Sequence, residues 1–136
     1  MKGIRGIRNN NPGNIDYHPK NQWLGQLPFD SRIEPRFCRF ILPEYGVRAL
    51  MKLLQNYHLS GFNTIEKIIH RWAPSVENET AIYIHRVADA LKVKPTETID
   101  PFDKNTVIEL AKAIIFHENG QQPYEQTLFE KAFATL

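Results

Sequence analysis

The run Arg8-Asn9-Asn10-Asn11-Pro12-Gly13-Asn14 constrains the fold of this chain more than any other stretch. Four asparagines, a proline and a glycine in six positions cannot continue a helix or pair as a central strand. Pro12 fixes φ and lacks a donor, Gly13 permits positive φ, and Asn tolerates the left-handed region. Each Asn also carries a donor and an acceptor at its tip. A rigid turn crowded with such groups suits a neutral, hydroxyl- and amide-rich ligand such as a sugar chain, with Asn9, Asn10, Asn11 and Asn14 as the binding candidates. The same cluster also reads as a loop held by its own Asx-turns, because Asn, Pro and Gly are the ordinary punctuation of loops.

A length of 136 residues points to one domain, 1–136, with enough buried surface for a real core. The hydrophobic share of 42% and net charge of +2 suit a globular chain with a mildly basic surface. That charge fits a polyanionic or cell-wall polymer and argues against nucleic acid, since no basic stripe is present. No apolar run reaches transmembrane length, so no membrane insertion is expected. The N-terminus has no apolar signal region, so action outside the cytoplasm would need another route of delivery. Cys38 stands alone between Phe37 and Phe40, which predicts a buried thiol; no Cys/His cluster has metal spacing.

Residues 1–30 read as a loop-rich segment. Residues 31–42 can form at most a short strand or hairpin, because Pro28, Pro35 and Pro43 interrupt it. After Pro43 helical spacing dominates. Val47, Leu50, Met51, Leu54 and Tyr57 share a face up to Ser60-Gly61. Thr64 caps a helix carrying Ile65, Ile68, Ile69 and Trp72, stopped by Pro74. Ser75 or Asn78 caps the next, with Ile84, Val87, Ala88 and Leu91 inward. Asn105 or Thr106 caps a strongly apolar helix ending near Asn119-Gly120. A last helix starts at Pro123 and groups Leu128, Phe129, Ala132 and Phe133. The expected class is mainly α, with about five helices.

Glu118 is the carboxylate with most chemical promise. It closes a helix whose preceding residues, Ala113 to Phe116, are apolar. That end of the helix dipole disfavours a negative charge, and burial beside Ile114, Ile115 and Phe116 disfavours it further. A carboxyl kept protonated is what a general acid needs. A solvated helix-end Glu is the plainer alternative. In Trp72 to Ile84, Asn78 and Thr80 are possible caps, and Tyr83 can point its hydroxyl into a groove. Trp23, beside Gly25, can stack on a pyranose or pin its loop to the core.

The segments Arg5 to Ile15, Trp23-Leu24-Gly25, Phe40, Tyr45 to Leu50, Trp72-Ala73-Pro74, Glu77-Asn78-Glu79-Thr80, Tyr83 and Ile114 to Gly120 together resemble a family of phage and prophage proteins. Its members are described as virion structural proteins or phage-type peptidoglycan hydrolases. Ile115-Phe116-His117-Glu118-Asn119-Gly120 is also similar, more loosely, to the catalytic segment of the lysozyme-like superfamily, which includes lytic transglycosylases and glucosaminidases. Thr80, Tyr83 and Ile84 resemble a Thr-x-x-Tyr-Val helix of those enzymes. There the catalytic Glu lies near the start of the domain; here it comes late, as circular permutation would leave it.

The resemblance implies a lysozyme-like α+β variant of the mainly helical class, and cleavage of peptidoglycan glycan strands at the cell wall or periplasm after lysis, virion delivery or secretion. Glu118 would be the acid, with Asn9, Asn10, Asn11, Asn14, Trp23 and Tyr83 on the substrate, and with no cofactor or metal. Asp16, Asp30, Glu44 and Glu77 are candidates for a second carboxylate; none stands out, which favours a single-acid mechanism assisted by the substrate's N-acetyl group. A phage virion or secretion apparatus is the implied partner. The competing class is a non-catalytic virion or glycan-binding module. A thiol enzyme using Cys38 with His58 or His70 is the weakest alternative.

Overall fold

The computed structural model describes residues 3–73 and 77–136. Six helices follow in order: α1 (Arg5–Arg8), α2 (Pro43–Leu59), α3 (Ile65–Trp72), α4 (Glu77–Leu91), α5 (Lys104–Asn119) and α6 (Gln126–Ala134). The mainly helical class expected from the spacing is the class observed. Among the described residues the only β pairing is three isolated antiparallel bridges, Asp16 with Phe37, Gln26 with Phe40 and Thr64 with Thr98. The hairpin allowed for residues 31–42 therefore shrinks to single bridges, as three prolines around one segment dictate.

Helices α2 and α5 form the centre. Val47, Leu50, Met51 and Leu54 of α2 are fully enclosed, as are Val107, Leu110, Ala111, Ile114 and Ile115 of α5. Helix α4 packs on α5, α6 on α2, and α3 bridges α2 and α4. Ile65, Ile68 and Ile69 seal the α3 side, and Phe129 and Ala132 seal the α6 side. All of these join one continuous apolar cluster.

Local chemistry explains most helix ends. Pro43 sits in the first turn of α2, where its missing N–H costs nothing. Thr64 caps α3 by accepting from the Lys67 N–H at 3.1 Å. Helix α5 is capped by Asp103, whose carboxylate accepts from the Thr106 N–H at 3.0 Å and the Thr106 hydroxyl at 2.8 Å. Asn105 and Thr106 thus lie inside the helix: an anionic oxygen is the stronger N-terminal acceptor. Gly120 ends α5 in the left-handed conformation, φ 71°. Helix α6 begins at Gln126, three residues after the expected Pro123, because Gln122 holds the preceding chain extended by accepting from the Tyr124 N–H. The Pro74 stop of α3 and the Ser75 cap of α4 lie outside the described residues; Asn78 falls inside α4, and its side chain is not described.

The loop-rich opening contains one helix that periodicity did not mark, the single turn of α1. It ends where the Asn run begins. In that run the left-handed positions are Asn10 (φ 53°) and Asn14 (φ 52°), and Gly13 does not share them. Gly13 serves close packing instead: a Cβ there would lie 3.2 Å from Leu50 and 3.3 Å from the Trp72 ring.

Candidate active-site groove

Glu34 organises the N-terminal turn. It is 1% exposed and has no charge-run or motif to mark it in the sequence. Its carboxylate accepts from Arg5 Nε at 2.8 Å and Nη2 at 2.6 Å, from Asn9 Nδ2 at 3.1 Å, and from the Arg36 and Phe37 N–H groups at 2.8 Å each. The Arg5 guanidinium, helped by the two backbone donors and Asn9, holds this carboxyl well below the usual carboxylate range despite its burial. Asn11 completes the scaffold. Its Nδ2 donates to the Ile15 and Cys38 carbonyls, and its Oδ1 accepts from the Ile15 N–H.

Asn9 and Asn11 are therefore interior braces, 4% and 0% exposed, which revises the expectation that they offer amides to a ligand. A buried polar group must be satisfied within the protein, and this loop satisfies them internally. Asn10 donates to the Phe40 carbonyl at 3.0 Å and borders a separate hollow beside Leu27, Ile33 and Ile41. Asn14 alone of the four reaches the acid: its Nδ2 donates to Glu118 Oε1 at 3.0 Å.

Glu118 stands where two hollows meet. The larger, about 670 Å³, is bordered by Asn14, Asp16, Trp23, Tyr57, Trp72 and Glu118, among others. The smaller, about 250 Å³, is bordered by Ala73, Glu79, Thr80, Tyr83, His117 and Glu118. The structure thus brings Asn14, Trp23 and Glu118 to one hollow, and Tyr83 and Glu118 to a second that shares Ala73 and Glu118 with the first. Trp23 is half-buried, and its indole N–H has no hydrogen-bond partner among the described residues. Thr80 is not a cap: it lies within α4 and donates to the Ala73 carbonyl at 3.0 Å, tying α4 to the end of α3.

Tyr83 is 3% exposed and stacks on His117, ring centroids 3.7 Å apart. Its hydroxyl lies beside the Glu118 carboxylate without reaching full hydrogen-bond geometry. Burial first, and the Glu118 charge second, push the phenol well above its ordinary range, so it stays a neutral donor. Burial pushes the His117 imidazole below its ordinary range, and Glu118 opposes that shift. Of the apolar neighbours expected around Glu118, Ile114 and Ile115 are enclosed. Phe116, however, is 57% exposed, on the outer side of α5.

Among the proposed second carboxylates, Asp16 borders the larger hollow and is paired with Arg36 Nε at 2.8 Å. Asp30 is engaged by Arg32, and Glu44 borders a distant hollow against α6. The Glu77 side chain lies outside the described residues. Cys38 is buried and its thiol is pushed up to about 11, mainly by burial, which suits packing rather than nucleophilic attack. Among the described residues no group of three or more His, Cys, Asp or Glu side chains is placed to hold a metal ion. No described helix is long and apolar enough to cross a membrane.

This mainly helical chain, with its N-terminal turn docked on the end of α5, belongs to a family of bacteriophage proteins. The relative that establishes this is Protein P5 of Pseudoalteromonas phage PM2, 37% identical over 135 residues, which cover 97% of this chain and 81% of P5. No family model matches the chain.

Proposed function

We propose that this protein cleaves the glycan strand of peptidoglycan, as a lytic transglycosylase or muramidase, with Glu118 as general acid. One observation carries the reading: the Glu118 carboxyl stands at the junction of two hollows, hydrogen-bonded to Asn14 of the N-terminal turn. A strand lying through both hollows would present a glycosidic oxygen to this acid. The amide of Asn14 donates to Oε1, so in this reading the glycosidic oxygen approaches Oε2. As the C–O bond breaks, its electron pair stays on the leaving oxygen, which takes the carboxyl proton. The neutral Tyr83 hydroxyl then donates to the carboxylate left behind. The substrate's acetamido oxygen stabilises the anomeric cation in this reading; Asp16, tied to Arg36, and Glu79 are the described carboxylates that share the hollows with Glu118. Action at the cell wall, following phage lysis, virion delivery or secretion, belongs to the same proposal.

Glu118→Gln tests it. Clearing of purified sacculi falls by at least about 10²-fold with the fold retained, the loss expected of a true general acid. Mass spectrometry of the wild-type products then separates an anhydro-muramyl end from a reducing one. Equal clearing by the variant refutes the reading. A second reading, a non-catalytic phage structural or glycan-binding module, is favoured by the burial of Asn9 and Asn11 as pure scaffold. It predicts strand binding with no new ends in either protein.

A further inference from the structure

The two hollows that meet at Glu118 differ in charge. Among the described residues the smaller is bordered by Glu79 and by no Lys or Arg, and its His117 is biased toward the neutral form by burial first, with Glu118 opposing and the charge of Arg86 assisting. The larger contains Asp16, Arg36 and Arg71 in addition to Glu118. Asp16 and Arg36 neutralise one another through their 2.8 Å pair. Among the described residues Arg71 is then the one Lys or Arg left to set against Glu118, whereas the smaller hollow sets none against its two carboxylates. It projects from the last turn of α3, its guanidinium 5.7 Å from the centre of the Tyr57 ring, and no carboxylate among the described residues pairs with it. Tyr57 in turn meets the Trp72 ring edge-on at 6.1 Å. A planar fork laid over an aromatic floor keeps its N–H edges free for a carboxylate.

We infer that the Arg71 end of the larger hollow is a carboxylate-selecting subsite, which takes the acid borne on the lactyl arm of the N-acetylmuramic sugars. This rests on the reading of the groove as a glycan-strand site. The carboxylate is either the free lactyl acid of a peptide-free strand or an acid of the attached peptide; both offer the same planar anion. The smaller, cation-free hollow takes a neutral N-acetylglucosamine ring. The charges thereby fix the direction in which the strand lies across Glu118. They also set this groove apart from one that would accept an uncharged N-acetylglucosamine polymer equally well. The Arg36–Asp16 pair, about two-thirds exposed on both sides, is weak enough to open and lend Arg36 as a second donor.

The chain's two tryptophans, Trp23 and Trp72, both border the larger hollow, so their fluorescence reports occupancy independently of catalysis. The experiment titrates the full chain and its Arg71→Gln variant with three tetrasaccharide probes at low salt. One is a peptide-free muramyl strand, one its peptide-bearing form, and one a neutral N-acetylglucosamine tetramer. Wild type is expected to bind at least one acidic strand about tenfold tighter than the neutral one, the value of one charged hydrogen bond. Arg71 is exposed, so Arg71→Gln retains the fold, keeps neutral binding and erases the preference. Preference for the peptide-free strand assigns the lactyl acid, and preference confined to the peptide-bearing strand assigns a peptide acid. Equal binding of acidic and neutral strands by wild type, no binding of any strand, or an unchanged preference in Arg71→Gln overturns the inference. Glu118→Gln in the same titration keeps binding. An acidic preference without any strand cleavage therefore defeats the catalytic reading alone, and cleavage without preference defeats the subsite alone.

Discussion

Replacing Glu34 by Ala removes the acceptor on which the N-terminal turn is built, and its cost follows from the five bonds that converge there. Three of the donors, the Arg36 and Phe37 N–H groups and the Asn9 amide, lose their acceptor in a largely enclosed place. An unsatisfied buried donor costs about 1–3 kcal/mol. The Arg5 side chain is 44% exposed and recovers water, so its loss adds little. The three donors together cost about 3–9 kcal/mol; the Arg36 N–H is only part-buried, so the lower half of that range, about 3–5 kcal/mol, applies, which matches the usual cost of breaking a buried ion pair. In a chain of this size that lowers the midpoint of thermal unfolding by roughly 10–20 °C, measured by circular dichroism. The pH dependence gives an independent check. The folded-state carboxyl is held below its unfolded value of about 4.3, so its stabilisation is complete above that pH. It is lost progressively as pH falls toward the folded value. The gap between wild type and Glu34→Ala therefore holds down to about pH 5 and narrows as the pH falls further. A shift of under about 3 °C at neutral pH, or a gap independent of pH, would show that the carboxylate is not the keystone described.

Two further outcomes follow from the same geometry. Asn14→Gly keeps the left-handed φ accessible but removes the amide that holds Glu118 Oε1; clearing of sacculi should drop about tenfold with little change in unfolding temperature, whereas an unaltered rate would mean that the bond orients nothing. Cys38, with its thiol at about 11, should resist iodoacetamide at pH 8 in the native protein and react at once in denaturant, and rapid labelling of native protein would contradict its burial.

The helices from α2 onward were legible because their apolar residues recur at helical spacing and their caps are local chemistry, as at Thr64 and Gly120. The α5 cap was misplaced by two or three residues because Asp103, Asn105 and Thr106 are all plausible caps, and only the three-dimensional path of the chain selects among them. The turn was legible as a turn, but its division of labour was not. Whether an Asn faces a ligand or a carbonyl depends on partners 25 to 104 positions away, such as Glu34 for Asn9 and Glu118 for Asn14. Glu34 escaped notice for the same reason: nothing in its neighbourhood announces a buried acid. Arg5 is 29 residues distant, and the Arg36 and Phe37 donors are backbone groups common to any sequence.

The junction of α5 with the turn is where a chemical role for Glu118 can be separated experimentally from a structural one. Three contacts clamp the two parts. Asn14 donates to Glu118, Asn119 donates to the Pro12 carbonyl at 2.7 Å, and Gly6 lies so close to the Asn119 side chain that no Cβ fits between them. Only the first involves the acid. A chain needing nothing more than attachment of the turn would retain it through Asn119 and Gly6, and Asn119 also anchors itself to the Ile115 carbonyl at 2.9 Å. Glu118 thus supplies one of several attachments in the clamp, and it also borders both hollows with a neutral phenol beside it. Conversion to Gln preserves its shape and leaves the other two contacts untouched. A loss of strand cleavage in that variant thus reports the missing proton, because the scaffold that would otherwise explain it is still in place.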